Sequence, residues 1–254
     1  MGATKQTATR TGFDGRAALV IGGSRGLGRA VAVALAEEGA RVLAVGREPG
    51  PLAELAAMAR TRGLPLRAAR GDATRRERVR ALLRRAAGRA PAPDVLVVAA
   101  GDYWEGPFDA LDAERLDALV RSNLTPAVTA VAAALPGMRR RRYGRILLFG
   151  VAGGDVPRAA PRAHAYRAVK LALLTLARSV AQEEAANGIT VNVLLPGIIR
   201  TPGLPRRLAS LARSIPARRL GAPREIARAA LFLLAEESGY VTGAALHVSG
   251  GYLL

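Results

Sequence analysis

The sequence predicts an α/β fold: a doubly wound parallel sheet of about seven strands, set between two layers of helices. Two observations predict it. Short runs that are apolar at successive positions alternate with helical patterns along nearly the whole chain. Parallel strands read that way because helices cover the sheet on both faces. A glycine-rich turn, Gly22–Gly28, also joins the first such run to the first helical pattern, as in sheets wound by strand–turn–helix units.

Each element has its own signal. Residues 1–11 are polar and threonine-rich and read as a flexible tail. AALVI (17–21) is a strand. GRAVAVALAEEG (28–39) is a helix closed by Gly39. RVLAVG (41–46) is the second strand and PLAELAAMARTRG (51–63) the second helix, opened by a proline. LRAARG (66–71) is a strand, TRRERVRALLRRAAG (74–88) a helix and DVLVVAAG (94–101) a strand. A long helical pattern covers about Asp112–Arg139. GRILLFG (144–150) is the fifth strand, AHAYRAVKLALLTLARSVAQEEA (163–185) a long helix and ITVNVLL (189–195) the sixth strand. Residues 196–223 read as an irregular loop with a short helix. A helix over 223–235 and the strand AALHVSG (244–250) close the chain. No linker or repeat interrupts the alternation, so a single domain is expected over 12–254, wound by right-handed crossovers.

Composition narrows the class. Half of the 254 residues are hydrophobic, enough for a sizeable core. There is no cysteine, hence no disulfide framework and no thiolate metal site. The two histidines, His164 and His247, are far apart in sequence and give no metal signature. No apolar run approaches the ~18–20 residues of a membrane span, and the N-terminus lacks the apolar centre of a signal peptide. A soluble cytoplasmic chain without a membrane partner is expected. The net charge of +18 invites a nucleic-acid reading. The arginines are dispersed, however, with only Arg139–Arg142 as a dense cluster, and aromatics are too few for a stacking platform. No nucleic-acid partner is expected. A basic surface suits acidic small molecules or an acidic carrier protein.

The glycine turn has the spacing G-x-x-x-G-x-G, with glycines at 22, 26 and 28. Glycine permits a tight turn and lets a pyrophosphate approach the backbone, and the helix that follows offers free N–H groups. A site for NAD places an acid at the end of the second strand to bind the ribose hydroxyl. Here that strand ends in Gly46-Arg47, and Arg25 lies inside the glycine turn. Two guanidiniums suit a 2′-phosphate, so NADPH is expected rather than NADH. Glu48, turned inward, would instead accept the hydroxyl. Asp72, after the third strand, is placed to reach the adenine.

Tyr166 and Lys170 stand four residues apart and share a helix face. Of 38 basic side chains only Lys5 and Lys170 are lysine, so the choice of lysine at 170 is informative. An ammonium beside a phenol is expected to lower its pKa and make it a usable proton donor and acceptor.

On these residues the sequence resembles the short-chain dehydrogenase/reductases. The glycine turn, Asp72, AAG at 99–101, Asn123, Tyr166-x-x-x-Lys170, PGIIRT at 196–201 and SGG at 249–251 carry the likeness, in order, from about Gly12 to Leu254. GGSRGLGRA, YGRILLFG, GITVNVLLPGIIRT and YVTGAALHVSGGY are most similar to 3-oxoacyl-(acyl carrier protein) reductases and related ketoreductases. The resemblance implies a Rossmann fold with a lid at about 197–219, and a homotetramer or dimer. It implies that Tyr166 protonates the substrate oxygen as hydride arrives, that Lys170 tunes it and binds ribose, and that Asn123 helps order a proton relay. It implies cofactor contacts from Gly22, Ser24, Arg25, Gly26, Leu27 and Gly28, from Arg47, Asp72, Ala73 and Gly101, from Tyr166 and Lys170, and from Pro196, Gly197, Ile199 and Thr201.

The chain departs from that pattern in three places. Ile21 replaces a threonine before the first glycine, and VAAG at 98–101 replaces Asn-Asn-Ala-Gly. Most consequential, Val151 stands where the family has a catalytic serine, and no hydroxyl occurs between Phe149 and Tyr166. Losing one such donor typically costs ~10²–10³ in rate. His164, Tyr103, Asp155 or a backbone N–H at 151–153 are candidate substitutes. Tyr103, Trp104 and Phe108 are expected near the substrate with Val151, and Arg206, Arg207 and Arg213 on the lid suit an anionic carrier or coenzyme A arm. The expected activity is NADPH-dependent reduction of an acyl or aromatic ketone to a secondary alcohol. The alternative is an impaired NADP(H)-binding subunit that supports a complete homologue in a mixed oligomer. Arg139–Arg142 precedes the fifth strand, where such reductases dock a carrier protein, but Asn187 stands where a second basic spot would be.

Overall fold

The computed structural model describes residues 12–90, 92–202, 204 and 206–254; the 1–11 tail, and Gly203 and Pro205 of the expected lid, lie outside them. Seven strands form one parallel sheet in the order β3-β2-β1-β4-β5-β6-β7. They are β1 (Ala17–Ile21), β2 (Arg41–Gly46), β3 (Leu66–Arg70), β4 (Val95–Val98), β5 (Gly144–Phe149), β6 (Ile189–Pro196) and β7 (Ala245–Val248). Every residue of β1, β4, β5 and β6 is buried, because helices cover both faces. On one face lie α3 (Arg76–Ala87), α4 (Ala113–Asn123), α5 (Thr125–Arg141) and α6 (His164–Glu184); on the other lie α1 (Gly26–Glu37), α2 (Pro49–Thr61) and α8 (Pro223–Leu234). A short helix, α7 (Arg206–Ser210), interrupts the long loop after β6.

The expected continuous helix over Asp112–Arg139 is instead two helices that meet at Leu124. Pro126 explains the break: it has no N–H to donate to the turn before it. Asp112 caps α4, its carboxylate accepting from Arg115 N at 2.7 Å. Ala113–Arg141 taken together is long and apolar enough to cross a membrane, which corrects the expectation that no run approaches that length. Here Ala127, Ala130, Val131, Ala134 and Met138 pack into the core instead.

The arginine cluster that precedes β5 is largely committed to the fold. Arg139 forms an ion pair with buried Glu184, whose carboxylate also accepts from Asn187 at 3.0 Å. Arg141 pairs with Asp94 at 2.8 Å, and Arg142 donates to Ala186 O at 2.8 Å. Arg145 is only 5% exposed. It donates to Gly144 O, Gly188 O and Ala235 O at 3.0–3.3 Å, so a cation closes the C-terminal end of α8.

The sheet order reverses between β1, which continues outward to β2 and β3, and β4, which continues to β5, β6 and β7. Neighbouring connections leave in opposite directions there, so a crevice opens beyond the strand ends.

Candidate active site

That crevice is a cavity of about 1030 Å³. Every residue expected to hold the dinucleotide lines it: Gly22, Ser24, Arg25, Gly26, Leu27 and Gly28 at one end, Arg47, Asp72, Ala73 and Gly101 along the side, and Tyr166, Lys170, Pro196, Gly197, Ile199 and Thr201 at the other. Gly22 and Gly26 have φ of +79° and +56°, values that side chains disfavour. A Cβ on Gly22 would lie 2.6 Å from Ala100 N, whereas one on Gly26 would meet nothing within 4 Å. Gly26 therefore faces open space. The helix it starts, α1, has no side-chain cap, so its first N–H groups remain available to an anion.

Arg25 and Arg47 stand at the cavity rim, each already paired. Arg25 lies 2.9 Å from Glu48, and Arg47 lies 3.2 Å from Asp102. Glu48, which also lines the cavity, is thus paired with Arg25. Asp72 accepts from the hydroxyl and N–H of Thr74 at 2.7 and 3.0 Å. These two bonds, against a burial effect that opposes them, hold its carboxyl below the usual range.

At the far end, Tyr166 and Lys170 share one face of α6, with Lys170 Nζ 5.7 Å from the phenol ring centroid. Lys170 is buried and donates to Phe149 O at 2.8 Å. Burial pushes the phenol of Tyr166 up to about 12, with only Arg167 pulling it down. Burial also pushes Lys170 down to about 8. The expectation that the lysine lowers the phenol pKa is not met in this state. The ammonium is held by a backbone carbonyl and is not among the groups that shift the phenol.

Asn123 does not line the cavity but stands behind Gly101. A Cβ on Gly101 would overlap its Oδ1 and come within 3.5 Å of Lys170 Nζ. Asn123 Nδ2 donates to Asp102 O at 3.0 Å and Leu119 O at 3.1 Å, while its buried Oδ1 has no partner.

Val151 lines the cavity, as does Tyr103, whose ring meets that of Tyr166 edge-on at 5.1 Å. Three of the other candidate substitutes for a hydroxyl are already engaged. The His164 ring packs against Trp104 and Phe108, and its Nδ1 accepts from Ala165 N. Asp155 pairs with His247 at 3.1 Å. The N–H of Ala152 is committed to Pro196 O at 2.9 Å. Trp104 and Phe108 are corrected as pocket residues: neither lines the cavity, because Trp104 packs on Leu119, Ala165 and Val169 and Phe108 is exposed against His164. Arg207 reaches across from α7 to Glu105, which also accepts from the Tyr103 hydroxyl.

Several lining residues carried no local signal in the sequence. Leu204 and Leu208 come from the loop after β6, Tyr252 and Leu253 from the C-terminus, and Arg158 and Arg167 from the segment around Tyr166.

Comparisons agree with this geometry. A family model described as Enoyl-(Acyl carrier protein) reductase matches residues 21–253. The chain is 35% identical over 244 residues to the 3-oxoacyl-[acyl-carrier-protein] reductase of Vibrio harveyi, covering 94% of this chain and 98% of the relative. A 3-oxoacyl (acyl-carrier-protein) reductase from Agrobacterium tumefaciens C58, solved with NADP bound, superposes with a TM-score of 0.86 at 31% identity, covering 98% of this chain and 100% of that one. Another solved chain, described as a short chain dehydrogenase/reductase family protein, gives a TM-score of 0.85 at 35% identity over 95% of this chain and 98% of its own.

Proposed function

The chain belongs to the short-chain dehydrogenase/reductase family and is an oxidoreductase acting on C=O and CH–OH groups, and from that premise we propose that it is an NADPH-dependent ketoreductase with a modified oxygen-binding site. The observation that carries this reading is a single cavity with the capless end of α1 and Gly26 at one end and Tyr166, Lys170 and Val151 at the other. The donor set fits a phosphorylated dinucleotide. Free helix N–H groups suit the pyrophosphate, ionised Asp72 suits an adenine amine, and Arg25 and Arg47 suit a 2′-phosphate. When bound, the reduced nicotinamide supplies a hydride.

The residues of the chain do the rest. Tyr166, with a pKa of about 12, holds its proton at neutral pH and so is in the form a reduction needs. It donates that proton to the carbonyl oxygen while the carbon takes the hydride, and the product is a secondary alcohol. Lys170 stands on the same helix face as the phenol and is placed to bind the nicotinamide ribose. The unpartnered Oδ1 of Asn123 beside Gly101 suits a water that returns the proton.

The substrate is a ketone of acyl or aromatic type, with coenzyme A- or carrier-linked forms included. Carrier docking on Arg139–Arg142 is weakened, because Glu184, Asp94 and Ala186 O already occupy three of those side chains. Exposed Leu116, Val128 and Leu176 on α4, α5 and α6 support self-association, as a tetramer or dimer. Val151 favours a second reading, a slow subunit that holds NADPH beside a complete homologue. A fluorescence titration with NADPH and NADH followed by a ketone panel separates the two. Turnover that Tyr166→Phe abolishes without abolishing NADPH binding supports the reductase. Binding without turnover of any ketone supports the second reading.

A further inference from the structure

We propose that Arg158 and Arg167 form an anion-binding subsite beside Val151, so that the ketone this chain reduces carries a carboxylate close to its carbonyl group. This rests on the reductase reading and names its substrate class. Both guanidinium side chains line the same cavity as Tyr166 and Val151. Arg167 follows Tyr166 directly on α6. It turns back to donate to Ala152 O at 2.9 Å and Gly153 O at 2.5 Å, the two residues after Val151. Arg158 donates to Leu253 O at 3.2 Å, beside Tyr252 at the cavity wall.

These acceptors are neutral carbonyls. Among the described residues neither arginine has a carboxylate within ion-pair distance, whereas Arg25, Arg47 and Arg207, around the same cavity, each have one. An acid whose field reaches both is Asp155, and it is engaged by His247 at 3.1 Å. Arg158 and Arg167 are close enough to repel: after burial, Arg158 is the largest cause that lowers the pKa of Arg167. Arg167 is partly buried, and a second like charge beside it is unfavourable unless an anion joins the two. The backbone bonds fix one guanidinium in place while leaving donors over, the arrangement that suits a planar, bidentate carboxylate.

The subsite also bears on the missing hydroxyl. A carboxylate held by two fixed arginines orients the carbonyl against Tyr166, so binding away from the reacting carbon supplies alignment that a hydrogen bond to the oxygen would otherwise give.

The test pairs short 3-oxo acids with their methyl esters and follows NADPH oxidation. The acids are expected to exceed the esters at least about tenfold in kcat/KM, the worth of one charge-assisted hydrogen bond. Arg158→Gln and Arg167→Gln should each lower that ratio about tenfold through the KM of the acid, and Arg158→Lys should restore part of it. Arg158 is exposed with one backbone bond, so its variants decide the matter even if Arg167→Gln disturbs the loop. In parallel, calorimetry titrates a 3-hydroxy acid into the protein with and without NADPH, and binding should weaken in both glutamine variants. Equal use of acid and ester, or a ratio that neither substitution moves, overturns the proposal. Acid binding that depends on Arg158 and Arg167 without turnover of any ketone leaves the subsite standing and removes the reductase reading instead.

Discussion

Replacing Val151 with serine asks whether a hydroxyl is what this site lacks. Val151 faces the cavity with Tyr166, and its backbone is fixed: its carbonyl accepts from Gly154 N at 2.9 Å, and the next N–H bonds Pro196 O at 2.9 Å. A serine there presents its hydroxyl from a held backbone. The structural cost is small, because the side chain is only partly buried; losing its methyl contacts costs about 1 kcal/mol, a fall in Tm of about 2–4 °C. The gain is one donor aimed at developing negative charge, worth ~10²–10³ in kcat. The assay is kcat at saturating ketone and NADPH for the parent chain, Val151→Ser and Val151→Ala. Alanine opens the same space without the hydroxyl. The expected order is serine far above alanine, with alanine near the parent. If serine and alanine turn over alike while NADPH affinity is unchanged, the oxygen is already held by another group and the reasoning fails.

Three further outcomes follow from the same geometry. Gly26→Ala should weaken NADPH binding about tenfold or more with a stability loss of ~1–2 kcal/mol, since its Cβ meets only open space at a φ of +56°; Gly28→Ala should damage folding itself, because its Cβ would overlap Gly22 O, and urea titration of both variants checks the contrast. Lys170 gives a pH signature in the cofactor-free chain: with a pKa of about 8 folded against about 10.5 unfolded, the unfolded chain binds the extra proton between those values, so stability should rise with pH there by roughly 2–3 kcal/mol. The raised phenol of Tyr166 opposes that rise above pH ~10, and Lys170→Met should flatten the rise in urea midpoints between pH 7.5 and 9.5, a window uncrowded because the only other lysine is Lys5. Arg145→Met leaves buried carbonyls of β5, Gly188 and the α8 end without their donor, and should cost about 2–4 kcal/mol in denaturant unfolding.

Most of the sheet was legible because strands covered on both faces leave a signal that depends on few distant contacts. DVLVVAAG shows the limit of that signal: only Val95–Val98 pair as a strand, while Ala99–Gly101 leave the ladder to line the cavity. The break at Leu124 was also written in the sequence, by Pro126, but the apolar periodicity on either side masks it. Side-chain direction was the harder matter. Trp104 and Phe108 lie near Tyr103 in the chain, yet they turn to His164 on α6, a contact set by tertiary packing. Arg167 is one residue from Tyr166, and adjacent helical residues do not share a face. Only carbonyls supplied by the loop after β5 bring its guanidinium back to the cavity.

The choice of dinucleotide shows how sequence and structure answer different halves of one question. Arg25, Arg47 and Glu48 could be named from the sequence, which offered either two arginines for a phosphate or one acid for a hydroxyl. In the folded chain the two options are tied together, since Glu48 is the partner of Arg25 and Asp102 the partner of Arg47. Both pairs are well exposed, where an ion pair contributes about 0–1 kcal/mol. A 2′-phosphate can therefore take the two guanidiniums at little cost and gain charge-assisted bonds in exchange. A ribose hydroxyl would have to draw Glu48 away from Arg25 and would return a single neutral donor. That contrast supports the proposal of a phosphorylated dinucleotide, because the arginines are held near the rim by pairs weak enough to break.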